Sequence, residues 1–150
     1  MRNNYINLVI ETALNEAEIA LLEGEVPVSC VMKFGNIIIK THNTTNKLSD
    51  PLKHCELDAI REYQRFHMSN TNDIIMFITL EPCTMCCRII TDFKERFIKC
   101  NLKLFFGVYN DIFGNLKITG NTFGECIYDE RCIEIIKRFY EQQNPNTVNL

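Results

Sequence analysis

Two short segments hold residue types that can bind a metal and move a proton: His54-Cys55-Glu56 and Pro82-Cys83-Thr84-Met85-Cys86. Cys83 and Cys86 stand three apart, so on a helix they share a face. Two sulfurs on one face can meet one tetrahedral ion. His54, 29 residues before Cys83, offers a nitrogen as third ligand. A helix N-terminus lowers a thiol pKa and favours the thiolate that binds zinc. Three protein ligands leave the fourth position open, as in catalytic zinc sites, whereas structural sites close all four. The expectation is one zinc ion per chain. Glu56 lies two residues from the ligand histidine, placed to take a proton from the metal's water and hand it to a leaving group. Taken singly, His54 reads as a capping or core histidine, Glu56 as a first-turn helix acid, and the CxxC as a redox pair or structural zinc site. Their combination in a strand–helix context points to hydrolysis.

Each segment falls where a helix is predicted to begin, and one strand separates the two helices. Residues 3–23 carry apolar groups at roughly the helical period, and Gly24 is the stop. Val28–Lys33 and Ile37–Thr41 read as a hairpin around Phe34-Gly35-Asn36. Thr41–Lys53 is polar and reads as a loop. A helix is predicted from about His54 to Phe66. Asp73–Thr79 is a continuous apolar run of strand length with both faces covered. Pro82 is expected in the first turn of the second helix. Leu102–Tyr109 reads as another buried strand, residues 110–125 as loop, and Asp129–Gln142 as a last helix ended by Asn144-Pro145-Asn146. Helix, hairpin, then alternating helix and strand predict an α/β fold: three layers, α/β/α, with a central mixed sheet, in a single domain over residues 1–150.

Composition narrows the class. The 150 residues are 46% hydrophobic and 23% charged, which excludes a disordered chain. Sixteen basic and nineteen acidic residues give a net charge of −3, which does not suggest a strongly basic nucleic-acid binder. No apolar run reaches the ~18 residues that a membrane span needs. The N-terminus does not read as a secretory signal, so a cytoplasmic or nuclear location is expected. In a reducing compartment the eight cysteines are free, metal-bound or catalytic. Cys55 and Cys87 are expected to turn from the metal as small buried residues. Cys30, Cys100, Cys126 and Cys132 read as core or free thiols. Lys94, Arg96, Lys99 and Lys103 form the densest basic stretch, either a solvated face or an RNA contact.

H-x-E followed by P-C-x-x-C is the signature of zinc nucleobase deaminases. Over nearly its whole length the chain resembles the tRNA-specific adenosine deaminases of the cytidine-deaminase-like fold. Glu25-Val26-Pro27-Val28, His54-Cys55-Glu56 and Thr79-Leu80-Glu81-Pro82-Cys83-Thr84-Met85-Cys86 carry the likeness. Asn43-Thr44-Thr45-Asn46-Lys47, Phe106-Gly107 with Asn110, Phe113 and Gly114, and Arg138 to Asn146 resemble the eukaryotic catalytic subunit.

The resemblance implies conversion of adenosine to inosine at the wobble position of tRNA anticodons. It implies a heterodimer with a related subunit lacking the catalytic glutamate, with a homodimer as the alternative. It places zinc on His54, Cys83 and Cys86, and the proton shuttle on Glu56. Substrate contacts fall on Asn43, the Cys55 backbone amide, Val26, Val28 and Pro82. The chain departs from the family at Cys55, where alanine is usual, at Ile112 and Asn115, and in having no Lys or Arg over residues 141–150. Two other readings stay open: a deaminase of a small cytosine or guanine compound, and a non-catalytic zinc scaffold subunit.

Overall fold

The structure, a computed structural model, describes residues 4–66, 73–97 and 100–143. A first helix, α1 (Asn4–Leu22), buries Val9, Ile10, Ala13, Ala17, Ala20 and Leu21 along one stripe. It stops where Gly24 turns to a φ of 76°, a conformation that costs glycine little. The hairpin follows as β1 (Ser29–Phe34) and β2 (Ile37–His42), paired antiparallel from Ser29–His42 to Phe34–Ile37. Next come α2 (Thr45–Leu48), α3 (Cys55–Arg65), β3 (Asp73–Leu80), α4 (Thr84–Arg96), β4 (Asn101–Val108), α5 (Asn115–Thr119), β5 (Glu125–Cys126) and α6 (Glu130–Gln143).

The five strands form one mixed sheet in the order β2-β1-β3-β4-β5. β1 is antiparallel to both β2 and β3, whereas β4 is parallel to β3 and to β5. It follows that β2, β3 and β4 point the same way, and the segments leaving their carboxyl ends gather at one edge. Open α/β sheets bind ligands at that edge.

Alternation along β1 and β3 assigns the two faces. Cys30, Met32, Phe34, Ile74, Met76 and Ile78 pack against Ala59, Ile60 and Tyr63 of α3 and Ile90 and Phe93 of α4. Val31 and Phe77 point to the other face, against Val9, Ile10 and Ala13 of α1 and Cys132 of α6. Fully burying a side chain of this size stabilises the fold by ~1.5–3 kcal/mol, so both layers are firmly docked. This is the expected three-layer α/β/α arrangement, and the run Asp73–Leu80 is covered on both faces as its composition requires.

Three readings of the sequence are corrected. The polar segment after β2 contains α2, and the segment after β4 contains α5 and β5. α2 and α5 have only four and five residues, too short for an apolar period to show. Pro82 does not enter a helix: Cys83 is the N-cap and α4 begins at Thr84. The expected stop at Asn144-Pro145-Asn146 lies outside the described residues.

Candidate active site

His54 and Cys83 occupy equivalent places, the N-caps of α3 and α4, with extended backbones (φ/ψ −80°/145° and −68°/165°). Neither side chain bonds to its own helix end, so both remain free to reach a ligand. Cys86 sits in the first turn of α4, facing the same point as Cys83. His54 Nδ1 lies 3.7 Å from Cys83 Sγ and 3.5 Å from Cys86 Sγ. The three ligand atoms all fall within 4.8 Å of one another. Zn–S bonds of about 2.3 Å and Zn–N bonds of about 2.0–2.1 Å at a tetrahedral angle put nitrogen and sulfur about 3.6 Å apart. The donor set and its spacing therefore fit one zinc ion bound by His54, Cys83 and Cys86. Among the described residues no other group of His, Cys, Asp and Glu has such spacing.

The protein groups are already biased toward this use. Cys83 is lowered to about 4, first because the Cys86 thiol donates to it and then because His54 stands beside it. Cys86 is pushed up, chiefly by giving that hydrogen bond. His54 is raised, first by its bond to Cys83. Between them, imidazole and sulfurs favour a thiolate where a dication belongs. Glu56 is buried and its carboxyl is raised, mainly by desolvation. A carboxyl raised in this way holds a proton more readily than an exposed one, which suits a group that must take a proton and return it.

These residues open into a cavity of about 550 Å³ at the carboxyl edge of the sheet, within the ~300–1,000 Å³ of small-molecule sites. Its walls include His54, Glu56 and Cys83 together with Val26, Val28, Asn43, Ile112 and Phe113. The sequence thus identified much of the lining. Pro82 is buried outside it, one residue before Cys83. The Cys55 amide, expected to meet the purine edge, is already spent: it donates to Asn43 Oδ1 at 3.0 Å. That bond fixes the Asn43 amide so that its nitrogen is the group left to donate.

Three side chains were missed. The Cys55 thiol is buried as expected, but it donates to Glu56 Oε2 at 3.3 Å. Glu25 and Glu81, which lie in segments that carry the family likeness, are buried carboxylates that hold the segments around α2 and α5 that line the cavity. Glu81 could have been found as an acid ending the apolar run of β3; Glu25, after Glu23-Gly24, carried no such signal. The basic stretch falls elsewhere. Lys94 and Arg96 end α4 and Lys103 begins β4, at the sheet edge opposite the cavity, and Lys99 lies outside the described residues. All eight cysteines are free.

Known proteins share this arrangement. The family model for the cytidine and deoxycytidylate deaminase zinc-binding region matches residues 4–101. The tRNA-specific adenosine deaminase 2 of Xenopus laevis is 31% identical over 155 residues, covering 89% of this chain and 85% of the relative. Its Danio rerio counterpart is also 31% identical, covering 89% and 70%. The tRNA-specific adenosine deaminase of Aquifex aeolicus is 42% identical over 79 residues, covering 51% and 52%. A structure from a study of A-to-I editing by tRNA A34 deaminases aligns with a TM-score of 0.69 at 24% identity, over 86% of this chain and 99% of that one. Guanine deaminase from Nitrosomonas europaea aligns at 0.61 and 13% identity, over 89% and 81%. These two share the fold. Likeness of this extent, carried through the metal-binding segments themselves, makes the chain a member of the zinc-binding cytidine and deoxycytidylate deaminase family, on its tRNA-specific adenosine deaminase branch.

Proposed function

We propose that the chain is a zinc-dependent hydrolase, one deaminase domain over residues 1–150, that converts adenosine to inosine at wobble position 34 of tRNA anticodons. The observation that carries this reading is the pocket in which a two-cysteine, one-histidine metal site and a buried carboxylate face one cavity, in a chain whose relatives are tRNA-specific adenosine deaminases.

His54, Cys83 and Cys86 would hold the zinc ion, which when bound would lower the pKa of a water toward neutrality. The protein's own groups do the rest. The target base leaves its stack and enters the cavity, where Val26 and Val28 give it apolar walls and the Asn43 amide nitrogen donates to an acceptor on its edge. Glu56 takes the proton of the water that adds at C6 and passes it to the ring nitrogen N1. It then carries the proton of the added hydroxyl to the amino group, leaving the C6 carbonyl as the C6–N bond breaks. Adenosine and water become inosine and ammonia. In this reading Glu56 is the catalytic residue and Cys55 and Pro82 stand behind the cavity wall.

The partner is inferred on separate grounds. Among the described residues no Lys or Arg lines the cavity, yet anticodon binding needs cations to neutralise phosphates. Ile112, Phe113 and Ile118 stand 58–65% exposed around the cavity, and a clustered apolar rim of that kind favours a protein contact. Both features support a heterodimer with a related non-catalytic subunit that brings the charge, with a homodimer as the alternative. The expected location is the cytoplasm or nucleus, where tRNA is found; among the described residues no helix is long and apolar enough to cross a membrane.

The test is incubation of the purified chain, alone and with its partner subunit, with a tRNA transcript carrying adenosine at position 34. Inosine at that position supports the assignment. Turnover of free cytidine or guanine with none on tRNA would assign the chain to small-molecule deamination instead.

A further inference from the structure

Two buried carboxylates serve neither the metal nor an ion pair. Glu25 is 0% exposed and Glu81 2%, and among the described residues neither forms a salt bridge. Placing a carboxylate in the interior costs several kcal/mol unless its oxygens are satisfied. An apolar side chain would fill either place at less cost, so the oxygens have a use.

Each carboxylate grips a connecting segment that lines the cavity: Glu25 at the first turn of α2, Glu81 at the first turn of α5 and the loop before it. Glu25 Oε1 accepts from the Lys47 amide at 2.7 Å, and its Oε2 accepts from the Asn46 amide at 3.0 Å and the Thr45 hydroxyl at 3.3 Å. That segment carries Asn43 and Thr45, both in the cavity wall. Glu81 Oε1 accepts from the Leu116 amide at 2.8 Å, and its Oε2 from the Asn110 amide at 3.1 Å. That second segment carries Asn110, Ile112 and Phe113, again in the wall. Gly114 sits so near that a Cβ there would collide with the Glu81 carboxylate and the Asn110 carbonyl. The Gly114 backbone also bridges to Cys83. Glu81 is two residues from Cys83, and Glu25 is next to Val26. Each acid thus ties a connecting segment, through the first turn of its short helix, to the segment that holds a ligand or a wall residue.

We propose that Glu25 and Glu81 are positioning residues of the deamination site, each holding one loop of the cavity in register with the metal-binding edge so that the target nucleotide meets a preformed pocket. This rests on the activity proposed above. A role in bulk stability alone would not require both acids to act on backbone amides of the cavity loops. Glutamine in either place keeps the size but leaves one acceptor oxygen, and its NH₂ then confronts a backbone N–H.

The experiment compares the wild-type chain with Glu81→Gln and Glu25→Gln, each with its partner subunit. Zinc content, amide hydrogen exchange and steady-state kinetics on the tRNA transcript are measured. In Glu81→Gln, exchange at the Asn110 and Leu116 amides should quicken by about tenfold or more. KM should rise by about tenfold, with kcat changed by less than about threefold and one zinc retained. Glu25→Gln should do the same through the Asn46 and Lys47 amides. Should either glutamine variant fail to fold, Gly114→Ala pushes the second loop off an intact Glu81 and should raise KM in the same way. Wild-type KM in a folded variant would overturn the proposal, whether or not exchange quickens. Loss of zinc would also overturn it, by reducing Glu81 to a support for Cys83. If the wild type leaves tRNA unchanged while exchange responds as expected, the assigned activity falls and the loop clamps stand.

Discussion

Burial raises the Glu56 carboxyl above its ordinary range, and the Cys55 thiol is the side chain that donates to it, at 3.3 Å. A carboxylate asked to shuttle protons needs one oxygen held and one free, and this thiol does the holding. Glu56→Gln should lower turnover by about 10²–10⁴-fold, the usual range for a lost general base, with zinc still at one per chain by metal analysis. Loss of zinc along with activity would make Glu56 a structural residue instead. Cys55→Ala should lower kcat by about threefold to tenfold at unchanged KM, because a hydrogen bond to a charged group is lost. Cys55→Ser, a better donor of similar size, should restore most of it. Equal kcat in the alanine variant would reduce the thiol to packing.

At the scale of elements, the ligands sit on the starts of α3 and α4, which pack side by side on one face of the sheet. Zinc therefore cross-links two helix N-termini, and an ion that binds only the folded state stabilises it by mass action. Stripping zinc with a chelator should lower Tm by several degrees, and Cys86→Ala should remove the response to added zinc. On the opposite face α1 meets the hairpin through charge. His42 Nδ1 lies 2.7 Å from Glu16 Oε1, and its Nε2 lies 3.2 Å from Glu23 Oε2. The Glu23 carboxyl is held below its usual 4.5, first by the bond from His42 and then by Lys47. A carboxyl lowered by folding binds fewer protons in the native state than in the unfolded one. Its contribution is therefore present above about pH 4.5 and is lost as pH falls through the lower folded value. In thermal melts across acidic pH, Glu23→Gln should shrink the acid-limb fall in Tm. An identical acid limb would show that this contact contributes nothing.

For the molecule as a whole, the geometry separates the densest basic stretch from the site. The cavity lies where β2, β3 and β4 end, whereas Lys94, Arg96 and Lys103 lie at the other edge. Reversing all three to glutamate should leave KM for tRNA within about twofold, because charges beyond a Debye length of ~8 Å are screened at physiological salt. A rise of tenfold would put RNA on that edge. The apolar rim makes a complementary demand. Phe113, 65% exposed, should anchor the proposed partner subunit: if that complex forms, Phe113→Asp should dissociate it in sedimentation experiments while the isolated chain stays folded.

The metal ligands and Glu56 were legible because their chemistry depends on residue type and short spacing: an i, i+3 pair on a helix faces one way whatever surrounds it. The layer order was legible for a similar reason, since continuous and periodic apolar runs report how many faces are covered. α2, α5 and the two buried acids were not. Elements of four or five residues carry no period, and the Glu25 and Glu81 bonds reach across 20 to 35 residues of chain. The fate of the Cys55 amide was hidden too, because its acceptor, Asn43, arrives from the other side of a loop. Local spacing fixes which atoms can bind a metal; only the folded sheet edge decides which loops, acids and cations stand around it.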